Sequence, residues 1–463
     1  MSVKAVGMLG AIFLWCMTPP LHAETFQLPM NTSNTPAQSG VSPVATQSLQ
    51  PAELHSLPAA LTANRLLKEM AGLAVQRSPL LRDAEAAWHA AQMDSKDASG
   101  GRWPRVDITA TSKAKMFGTN PYATDPPGRV GVTLTYNLFD GGKTGKQISS
   151  KDFFAEAAHA KYLQTREQTI FDTTSVYLQI LKFRRLAELH GQHVQHLSEL
   201  VKKIQDIVQV MAGRRSELTQ AMSRLLQAKE NRAAAETKLH ELEVQMVKLI
   251  GAENLNKTRN NVIPVIAQLQ PQAGMEIAQK SQQNLLGIEA ERAALDDSAT
   301  AIRRGNYWPV VELQASKLSG TDVFGYADPG QMFVMMKWNV FQGFSGMSQE
   351  AAVLERANAA RERYQQTVLD IEYKLNSAWT DYQNQHERVE SLRILAENTA
   401  QVRDDYYAQW ETLGRRSLLE VLTAENEHIS TLVSAVSSEI DEQLALAKLR
   451  FEAGALASWL LEN

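Results

Sequence analysis

The chain has 463 residues and a near-balanced charge, 47 Lys+Arg against 51 Asp+Glu for a net of −4. With no basic block anywhere, that balance argues against nucleic acid as a partner. The single cysteine, Cys16, leaves no disulfide framework and no thiolate metal site.

The first elements are targeting and spacer segments. Lys4, the apolar run from Ala5 to Trp15 and the small-residue site Leu21-His22-Ala23 read as a secretory signal over residues 1–23. Trp15 directly before Cys16 argues against lipidation of that cysteine. Residues 24–50 are rich in Ser, Thr, Pro and Gln and read as a disordered leader. No later stretch approaches the ~18–20 apolar residues of a membrane-spanning helix. Helical patterning begins at Pro51, restarts after Ser78-Pro79 and stops at Gly100-Gly101.

The period then changes from helical to alternating. Val106, Ile108 and Ala110 alternate with polar residues, and after a turn-rich stretch Val130, Val132, Leu134, Tyr136 and Leu138 do the same. This predicts a β-hairpin over about 103–139. A second over about 307–341 pairs Val311 and Leu313 with Met332, Val334, Met336, Trp338 and Val340. Each strand should be about ten residues, enough for a tilted strand to cross a bilayer. Trp103, Tyr136, Phe139, Tyr307, Trp308, Trp338 and Phe341 sit at strand ends, where rings suit a membrane interface.

A proline-free helical stretch follows each hairpin, from about Gly145 to Met211 and from Gly346 to Leu413. Some 65 residues would span roughly 100 Å, so such helices need helical neighbours along their length. The return paths come in pieces. Ser216 to Ile250 and Met275 to Arg304 flank a break at 251–274, and Ser417 to Leu461 runs to the C-terminus. Laid end to end, two half-helices match one long helix, and the C-terminal run pairs in the same way with the run before Gly100.

The whole arrangement is stated twice. Trp103-Pro104 returns as Trp308-Pro309, Asn137-Leu138-Phe139-Asp140-Gly141 as Asn339-Val340-Phe341-Gln342-Gly343, and Gly213-Arg214-Arg215-Ser216 as Gly414-Arg415-Arg416-Ser417. The copies lie roughly 200 residues apart, which marks duplication of a long unit, 51–304 and 305–463. Four strands are too few to close a barrel. Open strand edges cannot face lipid, so several chains must share one barrel.

Enzyme-like signals are weak. Gly142-Lys143-Thr144-Gly145-Lys146 lacks the upstream glycine of a phosphate-binding loop, because Asn137 and Asp140 occupy that position in the two registers. His190, His193 and His196 recur at three-residue steps, but the third rotates off the face of the first two. They read as solvated helix residues rather than a metal site. No catalytic residue, cofactor or metal is assigned.

Together the duplicated Trp-Pro, Asn-Leu-Phe-Asp-Gly-Gly/Asn-Val-Phe-Gln-Gly and Gly-Arg-Arg-Ser motifs resemble the TolC-like outer-membrane efflux and secretion channels of Gram-negative bacteria. The resemblance covers about Pro51 to Leu461. It implies a mainly α fold with a small β part: a long α-helical coiled-coil barrel in the periplasm and four transmembrane strands per protomer. Three protomers would share a twelve-stranded barrel. An adaptor (membrane-fusion) protein would join this homotrimer to an inner-membrane transporter, ABC-type or proton-driven. The turns Gly213, Arg214, Arg215, Ser216 and Gly414, Arg415, Arg416, Ser417 match the family's adaptor-contact tips. Glycine permits the tight reversal, and serine can cap the returning helix. Glu420 falls on the first of the family's two acidic gate positions, whereas the second is Thr423, and Arg416 matches the closed-state partner. Four residues apart, Glu420 and Arg416 also suit a local helix-surface pair. Similarity around Arg215–Ala221 and Ser223–Ala228 leans toward type I secretion of a large protein over small-molecule efflux. A soluble periplasmic coiled-coil scaffold is the alternative of another class, which would not need aromatic-ended alternation in both copies.

Overall fold

The computed structural model describes residues 51–112, 128–210, 214–319, 330–413 and 415–462. The signal segment 1–23, the leader 24–50, most of both hairpin loops and the tip glycines Gly213 and Gly414 lie outside them.

Helix α1 (Pro51–Arg77) and helix α2 (Pro79–Gly100) meet at Ser78, whose hydroxyl accepts the Leu81 N–H at 3.3 Å while Pro79 opens the second helix. Strands β1 (Arg105–Thr111) and β2 (Arg129–Phe139) follow as an antiparallel pair with Ile108 opposite Val132. Helix α3 (Lys143–Val210) runs unbroken for 68 residues, and α4 (Arg215–Ile250) returns. A 3₁₀ segment (Ala252–Arg259), α5 (Pro271–Ser281) and α6 (Gln283–Tyr307) lead into β3 (Val310–Ser319) and β4 (Gln331–Lys337). Helix α7 (Ser345–Leu413) has 69 residues, and α8 (Leu418–Glu452) returns before a short π turn at Ser458–Glu462.

The two hairpins form one antiparallel sheet in the order β1-β2-β3-β4, joined through Leu134 opposite Ala315. The outer strands differ from the ten-residue expectation. β1 and β4 have seven residues each, against 11 and 10 for β2 and β3. Trp338 and Val340 therefore lie beyond β4 rather than in it. The cause is register: β3 begins at Val310, opposite Lys337, so β4 has no residue left to pair with beyond that point, and β1 begins at Arg105, opposite Thr135.

α3 and α7 act as spines. Against the strand-proximal half of α3, α6 packs through Lys146–Asp297 (2.6 Å) and the Ser150 hydroxyl to the Ala294 carbonyl (2.7 Å). α2 covers another side of the same half through Lys151–Asp94 and the Trp88–Tyr162 ring pair. Toward the far end α4 replaces α6, through Arg184–Glu243, and α8 replaces α2, through Lys182–Asp441 and Arg185–Glu439. Half-helices thus succeed one another along a continuous helix. On α7, likewise, α6 engages Arg363 through Glu291, and α8 engages Asp381 and His386 through Lys448 and Glu442.

The main core lies where these successions occur. Tyr177, Leu178 and Leu181 of α3, Met246 of α4, Leu375 of α7 and Leu449 of α8 are buried together with Leu67 and Met70 of α1. Two helical runs expected to be continuous are broken here. The run placed at Met275–Arg304 starts earlier, at Pro271, and is interrupted at Gln282, and the C-terminal run stops at Glu452. The breaks touch each other. Gly454 has φ 68° and sits so close to the Gln282 backbone that an added Cβ would lie 3.0 Å from its Cα. Glu167 of α3 accepts the Leu456 N–H at 2.7 Å, supplying a partner for the chain after the break.

The strand-to-helix turn after β2 is equally specific. Gly141 has φ 65°, and a Cβ there would lie 2.5 Å from the Trp308 Cβ. Its counterpart Gly343 has φ 61° with nothing near. Gly343→Ala should therefore cost only left-handed backbone strain, about 1–2 kcal/mol. Gly141→Ala should cost a further ~1–3 kcal/mol for displacing the indole. Thermal unfolding of the two variants checks the order, and equal losses would contradict it.

Candidate functional site at the hairpin tips

The far ends of the long helices carry the sequence-predicted tip residues. At the second tip Ser417 is the N-cap of α8, and with Glu420 it forms a reciprocal capping box. The Glu420 N–H donates to the Ser417 hydroxyl (3.3 Å), and the Glu420 carboxylate accepts the Ser417 backbone N–H (2.8 Å) and hydroxyl (2.9 Å). The other carboxylate oxygen accepts from Arg416 Nη1 at 2.8 Å. Arg416 also donates through Nε to Gln409 (3.1 Å) and lies 4.2 Å from the Tyr406 ring centre. All of these partners belong to α7, α8 or the turn between them. The Glu420–Arg416 pair is thus a local one in the single chain, tying together the two legs of one hairpin. Thr423 uses its hydroxyl on the Leu419 carbonyl at 2.7 Å.

The backbone N–H of Ser417 and the Arg416 guanidinium hold the Glu420 carboxyl far below its usual range, at about 2.

The first tip is built differently. Ser216 was expected to cap α4, but the helix begins at Arg215 with Arg214 as its N-cap residue, and no side chain caps it. Arg214 instead approaches Glu217 at 3.8 Å. The sequence repeat therefore encodes the same reversal with two different helix starts.

Between the tips runs a second, smaller core. Leu197, Leu200 and Ile204 of α3 pack with Ala221 and Ala228 of α4, Trp410 of α7 and Leu418, Val421 and Leu422 of α8. Lys203 bridges the hairpins from outside, donating to Glu411 at 2.6 Å and to the Tyr407 hydroxyl at 2.8 Å. These two hydrogen bonds push the lysine pKa up.

One group of residues was misread from the sequence. His193 is not a solvated helix residue; it is 7% exposed. Its Nε2 lies 4.0 Å from Glu425 on α8, which His196 Nδ1 (3.6 Å) and Arg403 Nε of α7 (3.9 Å) also approach. Burial, with His190 and His196 nearby, pushes the His193 pKa down to about 4, and burial pushes the Glu425 carboxyl up. Among the described residues no group of three or more His, Cys, Asp or Glu is arranged to hold a metal. The available signal was an ionisable residue, Glu425, on the face of α8 that also carries Val421, Leu422 and His428.

The sheet carries the remaining predicted residues. Trp103, Phe139, Tyr307, Trp308, Trp338 and Phe341 are exposed and Tyr136 is half-buried. Because β1 and β3 begin where β2 and β4 end, all seven gather at the helix-proximal end of the sheet. Phe139 and Trp308 meet edge-on at 6.1 Å, which joins the two copies of the motif.

Ser417→Ala should cost about 1 kcal/mol and fray the start of α8, whereas Ser216→Ala should leave α4 within ~0.5 kcal/mol. Hydrogen exchange at the two helix starts reads the difference. Because the Glu420 pKa is depressed, its contribution is present above the usual 4.5 and lost as pH falls toward 2. Protection at the start of α8 should therefore persist at pH 4. Loss of that protection already at pH 5 would contradict the assignment.

Comparison with known proteins agrees with this architecture. Residues 70–252 match the profile of the family described as Outer membrane efflux protein. The outer membrane efflux protein BepC of Brucella suis is 21% identical over 372 residues, 78% of this chain and 76% of BepC. Among solved structures, the outer membrane protein VceC of Vibrio cholerae superposes with a TM-score of 0.74 at 16% identity, covering 84% of this chain and 96% of VceC. The CmeC outer membrane channel of Campylobacter jejuni gives 0.73 at 14% identity, covering 84% and 86%. Residues 70–252 thus match the outer membrane efflux protein profile, and the chain has the fold of these solved outer-membrane channels.

Proposed function

We propose that three copies of this chain form the outer-membrane exit duct of a tripartite export system. The observation that carries this reading is the four-stranded sheet with two open edges, β1 and β4, on which Val106, Ile108, Val130, Val132, Met332, Val334 and Met336 are exposed. A sheet so apolar needs lipid or protein around it. Its edges need strand partners once in lipid, because unpaired backbone groups there cost several kcal/mol each. Pairing β1 of one copy with β4 of the next satisfies both, and twelve strands close a barrel.

In this assembly the sequence halves 51–304 and 305–463 each contribute one barrel hairpin and one tunnel hairpin. The tips meet a periplasmic adaptor, which connects the duct to an inner-membrane transporter. The duct itself has no catalytic step. Substrate passes from transporter to exterior without release into the periplasm. Glu420 is the gate carboxylate, with Arg416 beside it and Thr423 in place of a second acid, so each protomer brings one gate acid rather than two. Resemblance around Arg215–Ala221 favours a large secreted protein as cargo. The efflux description carried by the family and by BepC favours small molecules instead.

Two measurements test the duct, and one separates the cargoes. Light scattering of the detergent-solubilised mature protein should give three chains per particle; a monomer soluble without detergent would end the reading. In planar bilayers Glu420→Gln should shift selectivity toward anions, because it leaves Arg416 uncompensated; unchanged selectivity removes Glu420 from the gate. A deletion strain that loses one secreted protein but keeps its drug resistance marks protein export, and the reverse marks efflux.

A further inference from the structure

Where the two helical hairpins meet, the junction is not apolar throughout. On the sheet-ward side of the smaller core, His190, His193 and His196 of α3 come together with Arg403 and Asp404 of α7 and Glu425 and His428 of α8. We propose that this cluster is an acid-operated latch: neutral histidines hold the α3–α4 hairpin against the α7–α8 hairpin, and their protonation lets the two part.

The geometry leaves no place for a charged ring. His193 is buried, and among the described residues neither its Nδ1 nor the buried Nδ1 of His190 has a partner. The Nε2 of His193 stands 4.0 Å from Glu425, too far for a hydrogen bond. Glu425 is already shared by His196 (3.6 Å) and Arg403 (3.9 Å), and Arg403 is held by Asp404 at 2.7 Å. His428, also buried, shares its Nδ1 with the Thr399 hydroxyl at 3.1 Å. Glu199 and Tyr407 line the groove beside Glu425. From α4, Arg232 reaches to 3.9 Å from where a Gly191 Cβ would stand, and Glu236 holds it at 2.7 Å.

An imidazole buried without an acceptor is tolerated neutral and is costly as a cation. Protonated His193 would sit beside His190, His196 and Arg403 with one shared carboxylate to answer it. Burial accordingly holds His193 at about 4, and it also lowers His190 and His428, the latter with Arg403 nearby. Parting returns these rings to water and to the ordinary value of 6.5. The parted form therefore binds more protons between those values, so closure is complete above pH 6.5 and is lost as the pH falls toward 4. Burial pushes the Glu425 carboxyl up, which opposes this, but one carboxyl works against three imidazoles, and Arg403 and His196 limit its rise. Glu420, at about 2, keeps its charge throughout, so α8 stays capped while the hairpins part.

In the duct proposed above these hairpins line the tunnel, and their parting would widen it. That consequence rests on the duct reading, whereas the latch itself does not.

The test uses the full chain, purified in detergent with Cys16→Ser so that each added cysteine is the only thiol. Leu197→Cys on α3 and Val421→Cys on α8 are both buried in the junction and react with dithiodipyridine when the hairpins part. Dividing each rate by that of the exposed Asn426→Cys at the same pH removes the pH dependence of the reagent. Both ratios should rise at least about tenfold from pH 7.5 to pH 5.5, the change that His193 alone supplies. Ala447→Cys, in the main core, should not change. His190→Gln/His193→Gln/His428→Asn should abolish the rise. Should that variant be unstable, His193→Gln alone should lower the rise about tenfold, and Glu425→Gln should move it to higher pH. Flat ratios in the parent, or a rise that survives the histidine changes, overturn the latch. An equal rise at Ala447→Cys marks general loosening and overturns it too. Each of these results leaves the duct standing, and a monomer soluble without detergent would end the duct without touching the latch.

Discussion

The constraint on which the molecule depends is the hydrogen-bonding demand of two strand edges. Inside the sheet, β2 and β3 satisfy each other and their outer neighbours, and they run for 11 and 10 residues. β1 and β4 each have one side without a partner, and both stop at seven. In water that edge would bond to solvent. In a bilayer it must find another strand. The helices inherit their spacing from this sheet, because α2 and α6 enter β1 and β3, and β2 and β4 release α3 and α7.

Below the sheet the organising rule is one of continuous and interrupted helices. α3 and α7 have no proline along their length, so nothing forces a kink, and they supply unbroken surfaces on which shorter helices succeed one another. The interruptions are concentrated at one level, where Gly454 lies against Gln282 and Glu167 receives the backbone beyond Glu452. A core of large side chains fills the same level, with Tyr177, Leu178 and Met246 fully buried. There its hydroxyl-bearing ring is buried enough to push the Tyr177 pKa up to about 12.

Much of this was legible from the residues. The duplicated motifs placed a hairpin followed by a long helix at two points in the chain, Ser78-Pro79 marked a helix restart, and the absence of proline marked both spines. Period alone could not give the length of β4, because Trp338 and Val340 continue the alternation beyond the point where pairing ends. Nor could it find the break at Gln282, which no proline or glycine precedes and which depends on the approach of Gly454 from 172 residues away. Ser216 and Ser417 occupy equivalent positions in the repeat, yet only the second has a glutamate three residues on to complete a capping box; Thr219 stands there in the first. His193 was misread because its burial comes from another element, the face of α8 that presents Glu425.

The unlike helix starts at the two tips have a mechanical consequence. One tip is braced by a reciprocal pair of hydrogen bonds, an ion pair and a ring contact, whereas at the other, among the described residues, the helix start has no side-chain cap and is held by the looser 3.8 Å approach of Arg214 to Glu217. In the threefold assembly proposed above these would alternate, stiff and compliant, around the mouth of the duct. Force applied at the mouth would then be taken up first by the three compliant ends, with the stiff ones acting as fixed posts.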